Sequence, residues 1–277
     1  MKIINGFKVL DYAKKRNLII PAFNTTNLET TIAIINGLNK AKLPGFIQIS
    51  SNNLQLSDPK VIANLTKYAM KDVDIPIGLH LDHGKSYEDV KACVEAGFTS
   101  IMIDASHLEY EDNIKEVRKC VEYCRLYGIP VEAELGAILG KEDNEVNEAD
   151  CKTDPLLVKD FVTRSGCDML AISIGNVHGL DAVPKIDLPL FERIAKESPV
   201  PLVLHGGSGI DFALIREMKK NNLIKVNYGS DLRKEYIKTF GEAYKINDNE
   251  ANLFGLCMKA TENVQKKAEE LVKIINQ

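Results

Sequence analysis

The 277-residue sequence predicts a (β/α)8 barrel, the TIM-barrel class of α/β fold. Apolar runs rich in Ile, Val and Leu alternate with amphipathic stretches along the whole chain, and there are eight such runs. Their hydrophobicity is nearly continuous, which is typical of parallel strands covered on both faces by helices. No linker rich in Pro, Gly or Ser divides the chain, so we expect residues 1–277 to form a single domain.

The predicted strands and helices follow one another as βα units. A helix from about Gly6 to Arg16 precedes the first strand and is expected to close the bottom of the barrel. The chain after Ser230 is predicted to be helical, with a break at residues 247–249, so that residues 235–277 form a C-terminal helical tail. The eight predicted strands are Leu18–Phe23, Gly45–Ile49, Ile75–Leu81, Ser100–Ile103, Pro130–Ala133, Met169–Ile174, Pro201–Leu204 and Leu223–Val226.

Composition and charge exclude several classes of protein. The sequence is 45% hydrophobic and 27% charged, which is ordinary for a globular domain with a sizeable core. A net charge of −4 gives no reason to expect binding to nucleic acid or to an anionic membrane surface. No apolar run approaches the roughly 20 residues that cross a bilayer, and the first residues do not resemble a signal peptide. We therefore expect a cytoplasmic protein whose six cysteines are reduced.

Polar side chains follow every predicted strand. In a (β/α)8 barrel the active site lies where the strands end. A buried carboxylate or imidazole is costly unless it has a partner or ligates a metal, so a shared site at this end explains all of these residues together. They are Asn24, Ser50, Asp82 with His83, Asp104, Glu134, Asn176 with His178, His205 and Asn227.

Three of the five histidines, His83, His178 and His205, lie at the ends of the third, sixth and seventh predicted strands. Three neutral imidazoles with an open fourth position are typical of a catalytic zinc or similar divalent ion. A single strand-end histidine is more often structural than a ligand, but three of them with acids between favour a metal site. His80 is interpreted as a residue packed beside the site, and His107 is assigned no metal role.

Glycine-rich segments follow two of these histidines, in His178-Gly179 and in His205-Gly206-Gly207-Ser208-Gly209. Glycine lets backbone N–H groups approach a phosphate, and Ser208 offers a further donor. A Gly-Gly-Ser-Gly segment alone is usually only a turn, so its position directly after a candidate ligand is what supports a phosphate site. Lys185 is a candidate cationic contact, although a lone loop lysine is usually just solvated.

Six segments, taken in order, carry a resemblance to a known family. They are Ile20-Pro21-Ala22-Phe23-Asn24, Leu79-His80-Leu81-Asp82-His83-Gly84, Gly97-Phe98-Thr99-Ser100-Ile101-Met102-Ile103-Asp104, Val131-Glu132-Ala133-Glu134-Leu135-Gly136, Gly175-Asn176-Val177-His178-Gly179 and Leu204-His205-Gly206-Gly207-Ser208-Gly209. Over about residues 1–235 the chain resembles the class II, metal-dependent fructose-bisphosphate and tagatose-bisphosphate aldolases. The resemblance implies a (β/α)8 barrel that holds Zn²⁺ or another divalent metal through His83, His178 and His205. It also implies a phosphorylated sugar substrate and a homodimer or homotetramer.

The same resemblance implies catalytic roles. Asp82 matches the residue that takes the proton of the C4 hydroxyl during cleavage and returns it during condensation. Glu142 matches a loop glutamate that moves the C1 proton of dihydroxyacetone phosphate, with Glu145 or Glu148 as alternatives if the loop is shifted. Asn227 matches an amide that orients the enediolate, whose charge the metal stabilises.

Further residues are implied as contacts to the metal or to the substrate. Asp104 and Glu134 match carboxylates that support the ligands or bind an alternate metal. Arg233 matches a contact to the far phosphate, which favours a substrate charged at both ends. Some members bind a monovalent cation near the phosphate. The matching substrate and phosphate positions are Asn24, Ser50, Gly179, Gly206, Ser208 and Ser230.

The chain departs from the family after the eighth strand, where it reads Asn227-Tyr228-Gly229-Ser230-Asp231-Leu232-Arg233. Fructose-bisphosphate aldolases of this class often read Asn-Ile-Asp-Thr-Asp-Leu-Arg, so Gly229 replaces an aspartate linked to the choice between the fructose and tagatose epimers.

The leading hypothesis is reversible cleavage of a phosphorylated ketose, namely fructose- or tagatose-1,6-bisphosphate or a related compound, to dihydroxyacetone phosphate and an aldehyde. One alternative is a metal-dependent sugar-phosphate isomerase or epimerase on the same barrel. The other is a non-catalytic accessory subunit, which would be expected to have lost ligands that this chain keeps.

Overall fold

The computed structural model of the protein describes residues 3–142, 145–147 and 151–277, with the backbone alone for residues 139–142 and 145–147. Eight parallel strands close into a barrel, which confirms the predicted fold class. The barrel strands are β1 (Ile20–Asn24), β2 (Gly45–Ser50), β3 (Ile77–Gly84), β4 (Ser100–Ile103), β5 (Val131–Leu135), β8 (Met169–Ile172), β10 (Leu202–Leu204) and β11 (Leu223–Tyr228). Three short strands, β6 (Leu139–Glu142), β7 (Glu145–Asn147) and β9 (Val177–His178), form a separate small sheet.

Helices alternate with the barrel strands and begin at recognisable caps. Asp58 accepts a hydrogen bond from the backbone of Lys60, and Ser86 accepts one from the backbone of Asp89, so each side chain satisfies a free N–H group at a helix start. The helices are α1 (Gly6–Arg16), α2 (Leu28–Ala41), α3 (Pro59–Ala69), α4 (Tyr87–Ala96), α5 (Tyr110–Arg125), α6 (Pro155–Ser165), α7 (Leu188–Glu197), α8 (Phe212–Lys219), α9 (Ser230–Ile246) and α10 (Leu253–Ile274). The predicted break at residues 247–249 separates α9 from α10.

Helix α1 closes the N-terminal end of the barrel, as the sequence predicts. Its side chains Val9, Leu10 and Ala13 are buried against apolar residues that fill the barrel interior. Those interior residues are Ile20, Ala22, Phe46, Met102, Met169, Ala171 and Val203. Because this end is plugged and apolar, polar chemistry inside the barrel is confined to the opposite end, where the strands finish.

Helix α10 lies along α2 at close range. A Cβ atom built on Gly37 of α2 would come within 2.8 Å of the carbonyl oxygen of Gln265 and 3.0 Å of the Cβ of Ala268, so glycine permits this approach. That residues 1–277 form one domain, with 235–277 as a tail, stays a prediction.

Two further expectations concern the chain as a whole. All six cysteines are free thiols, as expected. Within the described part of the chain, no helix is both long enough and apolar enough to span a bilayer.

Candidate active site

The C-terminal half of the barrel interior is lined by polar side chains. Side chains two apart on a strand point the same way, so four strands each contribute two inward polar residues. These pairs are Gln48 with Ser50, His80 with Asp82, Glu132 with Glu134, and Lys225 with Asn227, and all eight are buried. The upper member of each pair belongs to the candidate site, and the lower member lies beneath it.

Asp82 is fully buried and held by three side-chain amides. Its Oδ2 accepts from Asn24 Nδ2 at 2.8 Å and from Gln48 Nε2 at 3.0 Å, and its Oδ1 accepts from Asn227 Nδ2 at 3.0 Å. Amides stabilise and orient a carboxylate without supplying a neutralising charge. The arrangement therefore fixes the direction in which the carboxylate points into the site.

His83 follows Asp82 directly, yet both contribute to the site. Consecutive residues of a regular strand face opposite sides. The register of β3 against β4 shifts between Leu81 and Gly84, and His83 has a φ of 46°, in the left-handed region. This bulge turns the imidazole of His83 towards the barrel mouth. There its Nδ1 lies 2.6 Å from Oδ2 of Asp104.

The three predicted ligands, His83, His178 and His205, converge. One nitrogen from each ring can be chosen so that all three lie within 4.8 Å of one another. Gly206 helps to bring two of them together, because a Cβ on this residue would lie 2.0 Å from the carbonyl oxygen of Val177. The absence of a side chain thus lets the loop after β10 touch the strand that carries His178.

The hydrogen bonds of His83 and His205 leave two nitrogens facing each other. Asp104 accepts from Nδ1 of His83, and Glu132 lies 2.8 Å from Nε2 of His205. Burial lowers the pKa of His205 to about 4, so this imidazole is neutral at pH 7. Nε2 of His83 and Nδ1 of His205 then face each other with a separation of 2.8 Å. These two nitrogens and the imidazole of His178 form a donor set that fits a divalent metal.

Asp104 and Glu134 lie beside the histidines. Together with His83 they form a second group whose ligand atoms are all within 4.8 Å of one another. Burial alone raises the pKa of Asp104, but the hydrogen bonds from His83 and Ser106 outweigh it and hold this pKa well below the usual range. Asp104 is therefore a carboxylate that orients His83.

A small pocket opens next to the histidines. Asn227 Oδ1 is buried there and has no hydrogen-bond partner among the described residues. Helix α9 begins at Ser230, so its positive N-terminal end contributes to the same wall. Apart from Gly229, every lining residue is one that the sequence predicts for the site. The lining consists of Asn24, His178, Gly179, Gly206, Ser208, Asn227, Gly229, Ser230 and Arg233.

Besides the histidines and carboxylates described above, three predicted site residues are not among those that line this pocket. Ser50 is buried at the end of β2, in register with Asp82. Lys185 is exposed. The side chain of Glu142 lies outside the described residues, as do those of Glu145 and Glu148.

Gln48, Glu132 and Lys225 are functional candidates that the apolar runs of the sequence conceal. All three are fully buried inside strands, where the surrounding residues are apolar. The signal that identifies them is the two-residue spacing from a polar strand-end residue: Gln48 precedes Ser50, Glu132 precedes Glu134, and Lys225 precedes Asn227.

Comparison with known proteins agrees with this geometry. A sequence model of the family described as class-II fructose-bisphosphate aldolase matches residues 5–277. The chain belongs to this family. It is accordingly an enzyme of the lyase class, and class II aldolases are generally metal-dependent.

This class II aldolase has relatives in bacteria. It is 36% identical over 246 residues to the fructose-bisphosphate aldolase of Geobacillus stearothermophilus, covering 87% of this chain and 86% of that one. It is 36% identical over 222 residues to the fructose-bisphosphate aldolase of Thermus caldophilus, covering 78% of this chain and 72% of that one. Among solved structures, the YdjI aldolase of Escherichia coli K12 superposes with a TM-score of 0.85 at 28% identity, over 98% of this chain and 97% of that one.

Proposed function

We propose that this class II aldolase reversibly cleaves a phosphorylated ketose to dihydroxyacetone phosphate and an aldehyde, with a divalent cation held by His83, His178 and His205. The observation that carries the proposal is the convergence of three imidazoles within 4.8 Å of one another beside the buried carboxylate of Asp82.

The cation has a defined task in this reaction. When bound, it stabilises the negative charge left on the ketose as the C3–C4 bond breaks. Zinc is the first candidate because three imidazoles with an open position suit it, and cobalt, manganese and iron bind similar ligands.

Asp82 is proposed to move the proton of the C4 hydroxyl. Its three amide partners fix the direction of the carboxylate, which is what a general base needs before a proton can be transferred. Asn227 contributes twice, since its amide nitrogen holds Asp82 while its buried Oδ1 is left for a substrate hydroxyl.

The pocket is proposed to bind the phosphate of dihydroxyacetone phosphate. Gly179, Gly206 and the start of α9 offer backbone N–H groups, and the hydroxyl of Ser208 is close enough to accept from the backbone of Asp231 at 3.3 Å. The guanidinium of Arg233 lies close to Gly229: a Cβ atom built on Gly229 would be 3.2 Å from NH2 of Arg233. This guanidinium is proposed to contact the second phosphate.

Glu142 is proposed to move the C1 proton. Strand β6, which contains it, runs parallel to β9, with Gly140 opposite His178. Glu142 therefore follows, by two residues, the residue that pairs with the proposed ligand His178.

An aldol-cleavage assay over a panel of substrates tests the proposal. Fructose- and tagatose-1,6-bisphosphate and the corresponding ketose 1-phosphates are supplied to the purified enzyme, with and without a chelator. We expect cleavage of a bisphosphate that chelation abolishes and added Zn²⁺ or Co²⁺ restores. The panel includes both C4 epimers because Gly229 carries no side chain to choose between them.

The reverse reaction separates the proposal from an isomerase or epimerase. Dihydroxyacetone phosphate and an aldehyde should give a product with a new C–C bond. Rearrangement of a ketose phosphate without any change in carbon number would contradict the proposal.

The metal ligands are tested by a matched pair of histidine variants. His178→Ala should lose bound metal, whereas His107→Ala, at an exposed position outside the site, should retain it. Equal metal content in the two variants would refute the ligand assignment.

A further inference from the structure

A fully buried group of polar side chains lies directly beneath the three histidines. Glu132, Lys225, His80 and Ser100 all have 0% exposure. Taking an ion pair out of water costs several kcal/mol per ion, and apolar residues of similar size would fill the barrel without this cost. The proposed reaction uses none of the four directly.

Glu132 is at the centre of this group and uses both of its oxygens. Its Oε1 lies 2.8 Å from Nε2 of His205, and its Oε2 lies 2.8 Å from Nζ of Lys225. The salt bridge with Lys225 engages Oε2 and leaves Oε1 to accept a hydrogen bond from His205. The hydrogen of His205 therefore lies on Nε2.

His80 holds the other side of Lys225. Burial lowers the pKa of His80 well below its ordinary value, so the ring is neutral. Its Nε2 lies 3.4 Å from Nζ of Lys225, and its Nδ1 lies 2.8 Å from the hydroxyl of Ser100. Nζ of Lys225 thus lies between two acceptors, His80 and Glu132. These two contacts fix the position of the Glu132 carboxylate.

We infer that Lys225 and Glu132 form a positioning pair that selects the tautomer of His205. Lys225 holds the carboxylate of Glu132, and this carboxylate accepts a hydrogen bond from Nε2 of His205. Nδ1 of His205 then carries no hydrogen, and its lone pair faces Nε2 of His83 at 2.8 Å. The inference depends on the proposed function, since it assigns that lone pair to the metal. Carboxylates that hold a ligating histidine are worth about 10- to 100-fold in metal affinity.

Glu132→Gln distinguishes tautomer selection from simple packing. In this variant the ammonium of Lys225 still needs an acceptor and takes the amide carbonyl of residue 132. The amide NH2 group then faces Nε2 of His205 and selects the tautomer that has its hydrogen on Nδ1. We expect zinc affinity to fall about 10- to 100-fold while the fold is retained.

The double variant Glu132→Gln/Lys225→Met gives the opposite expectation. Without the ammonium, the amide carbonyl is free to turn towards His205 and accept from Nε2. Zinc affinity should therefore recover towards the wild-type value. A role in packing alone predicts a larger loss, because the double variant removes more of the buried interactions.

Asp168→Asn is the matched control. Asp168 directly precedes β8, and its carboxylate accepts a hydrogen bond of 2.9 Å from the backbone of Val131, the first residue of β5. The same carboxylate-to-amide change is therefore made at the end of the barrel away from the histidines. Its zinc affinity should equal that of the wild type.

The measurement is competition for Zn²⁺ between the full-length protein and a chromophoric chelator, with circular dichroism to verify folding and the visible spectrum of the Co²⁺-loaded protein as a second readout. Wild-type affinity in Glu132→Gln would overturn the inference and leave the proposed function standing, provided that His178→Ala loses zinc. Unchanged zinc binding in His178→Ala would overturn the proposed function itself. Should Glu132→Gln not fold, the double variant decides: affinity near the wild-type value supports the pair, and a loss of about tenfold or more refutes it.

Discussion

At the scale of single residues, Asp82 is proposed to transfer a proton rather than to bind the metal. Its oxygens accept from three amides, Asn24, Gln48 and Asn227. Asp82→Ala should therefore lower kcat by a factor on the order of 10² or more while metal content stays at the wild-type level. Steady-state kinetics and metal analysis of the same preparation check both parts.

Asp74→Ala provides the control, because Asp74 is exposed and remote from the site in sequence. It should match the wild type in both measurements. Unchanged turnover in Asp82→Ala would refute the acid–base role, and loss of metal would show that the carboxylate belongs to the ligand set.

Gly206 offers a second test at this scale, because two properties of the residue can be separated. Gly206 has a φ of 63°, and its Cβ would lie 2.0 Å from the oxygen of Val177. Gly128 has nearly the same φ, 64°, with nothing within 4 Å of its Cβ position. Both alanine variants carry the backbone strain, about 1–3 kcal/mol, but only Gly206→Ala also pushes the loop away from β9.

We therefore expect both variants to unfold at lower denaturant concentration, and Gly206→Ala alone to lose zinc affinity. Chemical denaturation and chelator competition measure the two effects. Equal zinc affinity in the two variants would show that the close approach at Gly206 does not position the histidines.

Sequence reasoning located residues that end strands and missed residues that lie within them. His83, His178 and His205 were found because each lies one to four residues past the end of a predicted apolar strand, at the barrel mouth where an active site is expected. Glu132 and Lys225 lie inside such runs, and nothing in the composition shows that their charges meet. That meeting depends on two strands, β5 and β11, that are far apart in the sequence and are separated in the barrel by β8 and β10.

At the scale of elements, hydrophobic runs predicted the barrel strands well and the small sheet not at all. Helix α1 and strand β4 have the predicted bounds, whereas β3 extends three residues further than predicted, through Gly84. The extension depends on hydrogen bonds to β4 across the bulge, which the apolar run does not encode. Strands β6, β7 and β9 have no apolar run of their own, and their pairing is a tertiary contact.

Two helix glycines give a prediction about element packing. Alanine in place of a helix glycine is intrinsically stabilising by about 1 kcal/mol. Gly241 in α9 has nothing within 4 Å of its Cβ position, so Gly241→Ala should increase the free energy of unfolding. At Gly37 the added Cβ would press on α10, with atoms of Gln265 and Ala268 at 2.8 and 3.0 Å, so Gly37→Ala should lower it instead.

Urea denaturation of the two variants measures this difference, with coincident fluorescence and circular dichroism transitions as the check on two-state behaviour. Equal stabilisation by both substitutions would mean that α10 yields to the added methyl group and is not tightly packed on α2.

At the scale of the whole molecule, the two ends of the barrel have different tasks. The N-terminal end is closed by α1 and packed with apolar side chains, while the C-terminal end gathers charges that would be costly without partners. Residues 83, 178 and 205 meet only when the barrel closes, because they lie in β3, in β9 and directly after β10. The proposed cation therefore binds the folded chain and not the unfolded one, which links metal occupancy to global stability.

This linkage gives a prediction for thermal unfolding. A metal present at 100 times its Kd stabilises the folded state by about 2.7 kcal/mol. In a chain of this size each kcal/mol shifts Tm by about 2–4 °C, so a chelator should lower Tm by roughly 5–10 °C. Added Zn²⁺ should restore the original value in the wild type and in His107→Ala. His178→Ala should start at the lower Tm and respond to neither reagent; a chelator-dependent shift of wild-type size in that variant would place the stabilising cation elsewhere in the molecule.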